Sequence, residues 1–154
     1  MARGRVRHRI LIVDDNEIVS DMMKQMLRRM DYLSVICNKP TDGLSIFSRA
    51  PERFDAVIVD EIMPDLRGTE LAAELLRIKN DIPIILMTGH GSMISLEMIR
   101  KSGVRATLIK PVEKGTASKS SHPTVNLTKI RAIRADTMTG WTSNGRRPLA
   151  DRRR

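Results

Sequence analysis

The sequence predicts an α/β fold, a doubly wound sheet of five parallel strands. Three observations carry this. Short aliphatic runs recur between residues 10 and 109, as strands buried on both faces require. Segments of about ten residues with apolar positions at helical spacing separate them. Most runs end in a residue type suited to chemistry: Asp14 and Asp15, Asp60, Thr88, Lys110. Strand–helix–strand units of this length close as right-handed crossovers, and open sheets of this class bind ligands outside the carboxyl ends of their strands. Those strand ends are therefore the candidate site.

Each element has its own justification. Ile10-Leu11-Ile12-Val13 is β-branched and closed by Asp14-Asp15. Asn16 is a good N-cap for a helix over residues 16–30, where Ile18, Val19, Met22, Met23, Met26, Leu27 and Met30 share one face. Leu33–Cys37 reads as the second strand. Residues 40–50 read as a short helix with Leu44 and Phe47 inward. Ala56–Asp60 is the third strand, again ending in an acid. Residues 69–78 are helical, with Leu71, Ala72, Leu75 and Leu76 as the buried stripe. Residues 82–88 form a fourth strand, 92–101 a helix and 105–109 a fifth strand.

Composition limits the alternatives. Of the 154 residues, 41% are hydrophobic, which supports a core and excludes disorder throughout. No apolar run approaches the roughly 20 residues of a membrane span, and no signal-peptide pattern is visible. Cys37 is the single cysteine and cannot form an internal disulfide, which fits a reducing, cytoplasmic setting. The net charge of +9 is unevenly distributed: residues 1–9 carry +4, residues 10–115 carry −2 and residues 116–154 carry +7. Basicity therefore belongs to the ends. Residues 1–9 read as a basic arm, 10–114 as the folded domain, and 115–154 as a basic tail.

The strand ends resemble the receiver domain of bacterial two-component response regulators. The matching elements are Val13-Asp14-Asp15-Asn16, Val59-Asp60-Glu61-Ile62-Met63-Pro64, Gly68, Met87-Thr88-Gly89 and Lys110-Pro111. The resemblance implies a flavodoxin-like receiver fold and a phosphoacceptor module. It implies Asp60 as the nucleophile that takes a phosphoryl group from a sensor histidine kinase or histidine phosphotransfer protein. It also implies Mg²⁺, bound directly by Asp15, Asp60 and the Ile62 carbonyl, with Asp14 acting through a water. Lys110 and Thr88 would then contact the phosphoryl oxygens. The Lys110–Pro111 bond is commonly cis in the family. Three converging carboxylates repel one another, and an oxygen-seeking divalent cation relieves that repulsion.

Taken singly, these residues read differently. Asp14 or Asp15 reads as a cap of the first helix, Asp60 as a turn residue, Thr88 as a strand residue, and Lys110 as a solvated lysine. Their joint order selects the signalling reading. Two alternatives stand beside it. One is a nucleic-acid binder using Arg3, Arg5, Arg7, Arg9 and the tail. The other is a phosphohydrolase of related topology, but Ile62 stands where haloacid-dehalogenase-like phosphatases place their second aspartate, so general-acid help is missing.

The chain departs from the family twice. Thr107 stands three positions before Lys110, where receivers usually carry an aromatic ring that follows phosphorylation. After Lys110-Pro111-Val112 the amphipathic fifth helix is atypical or missing, because residues 116–123 hold no aliphatic stripe. Leu127, Ile130 and Ile133 could form a short displaced helix over the exposed face. Otherwise that face stays open to a partner or to a second copy, as a homodimer.

Overall fold

The computed structural model describes residues 7–89 and 94–110. Among these residues, five parallel strands alternate with four helices: β1 (Arg9–Val13), α1 (Glu17–Arg29), β2 (Leu33–Cys37), α2 (Pro40–Arg49), β3 (Ala56–Asp60), α3 (Gly68–Ile78), β4 (Ile84–Thr88), α4 (Leu96–Lys101) and β5 (Ala106–Ile109). The spatial order is β2-β1-β3-β4-β5. The chain reverses direction across the sheet at β1 and β3, which is where such a sheet leaves a crevice.

Strand pleating sorts the core. Ile10, Ile12, Ala56 and Ile58 pack with Val19, Met23 and Leu27 of α1 on one face. Leu11, Val13, Val57 and Val59 pack with Phe47 of α2 and Leu71 and Leu75 of α3 on the other. This is the period-2 alternation expected of strands covered on both sides. Asn16 caps α1 by accepting from Val19 N at 3.2 Å. Ser95 does the same for α4, accepting from Met98 N at 3.1 Å.

Several expectations need correction. Ile18 is 68% exposed and not part of the α1 stripe. It precedes Val19 by about 100° of helix and lies in the first turn, so the buried arc is Val19, Met23 and Leu27. Burial on both faces holds for β1, β3 and β4, but β2 and β5 are sheet edges and only partly covered. The fourth strand starts at Ile84 because Pro83 has no N–H for the ladder; its carbonyl accepts from Val57 N. The fifth starts at Ala106, and the described part of the fourth helix starts at Leu96. Residues 51–53 add a short 3₁₀ turn. The basic arm through residue 6, His90, Pro111 and everything after it, including Leu127, Ile130 and Ile133, lie outside the described residues.

Candidate phosphoacceptor and metal site

The registers bring the chemistry together. Val13 pairs with both Cys37 and Val59, and Asp60 pairs with Met87. Thr88 pairs with Ile109. The carboxyl ends of all five strands therefore form one rim. Because Asn16 caps α1, neither Asp14 nor Asp15 is needed for that task. Asp14 instead turns inward, fully buried, and Asp15 stays exposed.

Lys110 joins two of the carboxylates. Its Nζ lies 2.8 Å from Asp60 Oδ2, 3.1 Å from Asp14 Oδ2 and 3.3 Å from Asp14 Oδ1. Its side chain is 18% exposed, so it is not a solvated surface lysine. Asp14 Oδ1 also accepts from Asn16 N at 2.9 Å. Asp14 Oδ2 is buried and accepts no well-aligned hydrogen bond, although it is close to the ammonium. Asp60 Oδ1 receives a long contact from Ile62 N, at 3.4 Å. The Thr88 hydroxyl donates to the Leu108 carbonyl at 3.5 Å. Thr107 sits in β5 opposite Leu86, which leaves no ring at that position.

Charge follows from burial. Burial, helped by the neighbouring Asp14, raises the Asp60 carboxyl to about 6 against the bond from Lys110. Burial also raises Asp14, with Asn16 N and Lys110 opposing. For Lys110, burial works downward, but the two carboxylates more than offset it and hold the ammonium above the ordinary lysine value.

This has a sign that can be measured. Between about pH 4 and 6, the folded state holds a proton on Asp60 that the unfolded state has released. Stability should therefore fall as pH rises through that window, by roughly 3 kcal/mol from this group. Asp60→Asn imitates the protonated form. With chelator present, its gain in urea midpoint over the wild type should be larger at pH 7 than at pH 5. An equal gain at both would contradict a raised Asp60.

One carboxylate oxygen from each of Asp14, Asp15 and Asp60 lies within 4.8 Å of the others. An all-oxygen donor set, one of whose buried oxygens accepts no well-aligned hydrogen bond, suits a hard divalent cation. The site residues thus fit the metal that the resemblance implies.

Two supports were not among the candidates read from the sequence. Asn38, just past the carboxyl end of β2, donates to the Asp14 carbonyl at 2.9 Å and to Ser20 Oγ at 3.3 Å. Applying the strand-end rule to the second strand would have found it. Glu61 is 1% exposed and holds the start of α3. An acid following Asp60 carries no sequence mark of burial.

A fold of this order with an acid pocket and a lysine at the strand ends defines a receiver-type module. The family model for the response regulator receiver domain matches residues 10–120. Transcriptional regulatory protein GlrR of Escherichia coli (strain K12) is 31% identical over 105 residues, covering 68% of this chain and 23% of that protein. A response regulator receiver protein of Anaeromyxobacter sp. (strain Fw109-5) is 35% identical over 104 residues, covering 68% and 43%. A receiver domain protein from Clostridium thermocellum superposes with a TM-score of 0.70 at 27% identity, covering 86% of this chain and 98% of that one. The crystal structure of histidine kinase ThkA in complex with response regulator protein TrrA matches at 0.64 and 25%, covering 82% and 97%. The chain belongs to the receiver-domain family of two-component response regulators. It spans less than half the length of these curated relatives.

Proposed function

We propose that Asp60 is the phosphoacceptor of a phosphorelay, loaded in a Mg²⁺-dependent reaction by a histidine kinase or histidine phosphotransfer protein. The observation that carries this is the pairing of a buried strand-end Asp60 with Lys110 at 2.8 Å inside the three-carboxylate cluster. Asp60 Oδ attacks phosphorus, a P–O bond forms, the P–N bond to imidazole breaks, and the imidazole leaves with the electron pair. Lys110 orients the nucleophile and faces the charge that spreads over the phosphoryl oxygens. The Thr88 hydroxyl, which donates to the Leu108 carbonyl, stands at the end of the adjacent strand β4 and would donate to a phosphoryl oxygen. Asp15, Asp60 and the Ile62 carbonyl would hold Mg²⁺ directly, with Asp14 behind a water. Bound there, the cation supplies neutralisation of the transferring group. Ile62, two residues after Asp60, offers no general acid, so the module signals rather than turns over substrate. We place it in the cytoplasm. Among the described residues no helix is long and apolar enough to cross a membrane. Neither nucleic-acid binding nor phosphohydrolysis gains support from the family match.

Acetyl phosphate with Mg²⁺ should add one phosphoryl group by intact mass, and a chelator should prevent it. Labelling that proceeds equally without divalent metal would remove the metal from this reading.

The partner surface has its own mark. Ile18 and Ile62 are 68% and 66% exposed, on the two segments that follow Asp15 and Asp60. Exposed isoleucines beside a charged pocket suit an apolar helical face that presents a phosphohistidine. Ile18→Asp should slow transfer from a phosphorylated histidine phosphotransfer protein by about tenfold or more, as loss of an interface anchor does. Labelling by acetyl phosphate should not change. A parallel loss with both donors would locate the defect in the site.

A further inference from the structure

Among the described residues, Glu61 is the most enclosed carboxylate that the proposed reaction does not use, with 1% of its surface exposed. A buried carboxylate is costly unless its oxygens are satisfied. Both are. Oε2 accepts from Thr69 N at 2.9 Å, and Oε1 accepts from Thr69 Oγ1 at 3.2 Å. Arg67 Nη1 stands 3.9 Å from Oε1. The main chain of Glu61 is held as well: its N–H donates to the Met87 carbonyl at 2.9 Å, and its carbonyl accepts from Gly68 N at 3.0 Å. One residue thus satisfies the N–H groups of the first two residues of α3, where a negative charge also meets the positive end of the helix.

Glu61 lies between Asp60 and Ile62. Its four bonds tie that stretch of backbone to β4 on one side and to α3 on the other. We infer that Glu61 is a positioning residue: by clamping its own peptide units it holds the Asp60 carboxylate and the Ile62 carbonyl in the arrangement a divalent cation needs. The inference rests on the metal reading above. Glu61 faces Thr69 and Arg67 rather than the Asp14–Lys110–Asp60 group, so it acts through the backbone and not as a ligand.

The test is Mg²⁺ affinity, measured by titration calorimetry on folded protein well below each unfolding midpoint. Glu61→Gln keeps an acceptor for Thr69 N and an amide that can donate to Thr69 Oγ1. Its Kd should stay within a few-fold of wild type. Glu61→Ala should raise Kd by roughly 10- to 100-fold, the usual cost of losing an outer support of a metal site. Thr69→Val removes one of the two side-chain bonds with little change of volume and should raise Kd in the same direction by less. A folded Glu61→Ala that melts lower but binds Mg²⁺ like wild type would show a purely structural role and overturn the inference. So would equal losses in Glu61→Gln and Glu61→Ala, because charge rather than position would then be responsible. If Glu61→Ala does not fold, an unchanged Kd in Thr69→Val overturns it. Wild-type protein that binds no Mg²⁺ brings down the metal reading itself, and the inference with it.

Discussion

Asp60→Asn should take up no phosphoryl group from acetyl phosphate with Mg²⁺, under conditions where the wild type takes up one. An amide oxygen is a poor nucleophile and cannot give the acyl phosphate, a mixed anhydride, that a carboxylate forms. The fold should survive, because the substituted amide oxygen can still accept from Lys110, which sits 2.8 Å from Asp60 Oδ2. The substitution also removes a buried negative charge facing Asp14, so lost labelling cannot be ascribed to unfolding. The other acids of the cluster define the opposing outcome. Asp14 is fully buried and already receives Lys110 and Asn16 N. Asp15 is exposed and has no short contact to Lys110 among those that hold the other two. Undiminished labelling of the Asp60→Asn variant, mapped by fragment mass to residues 14 or 15, would move the acceptor to the first strand end.

Gly68→Ala should cost the domain roughly 2 kcal/mol or more, lowering the melting temperature by on the order of 10 °C. A Cβ at Gly68 would clash with the Asp60 carbonyl oxygen, and would meet the Asp60 carbonyl carbon and Glu61 Cα at 2.9 Å. All three are backbone atoms at the end of β3, so no side chain can swing aside. Either the first turn of α3 lifts off or the Asp60–Glu61 peptide moves. Alanine does favour a helix over glycine, by about 1 kcal/mol at most in a helix interior. Gly68 is the first helical residue, where that gain is smaller, so the clash wins. Because Asp60 and Glu61 take the strain, phosphoryl uptake should slow as well. A melting temperature at or above wild type, with unchanged uptake, would show that α3 does not press on the nucleophile's strand as described.

The resemblance to receivers, the order of elements and the strand-end acids were readable because they are local signals. Ala56–Asp60 and Leu33–Cys37 coincide with β3 and β2, since aliphatic runs bounded by turns need no distant information. Asn16 was readable as the α1 cap for the same reason. The topology rule then converted a list of strand ends into one site before any contact was known.

Tertiary structure alone decided how those ends combine. Lys110 and Asp14 are 96 residues apart, and only the β2-β1-β3-β4-β5 order brings that ammonium between two carboxylates. Ile18 belongs to an apolar helical pattern yet faces solvent, because it stands about 100° round the helix from Val19, outside the arc that packs on the sheet. Glu61 and Asn38 look like surface polar residues, and became a clamp and a tie only when α3 and the β1–α1 loop packed beside them. Periodicity along a chain reports which residue types alternate; burial and pairing depend on what arrives from elsewhere in the sequence.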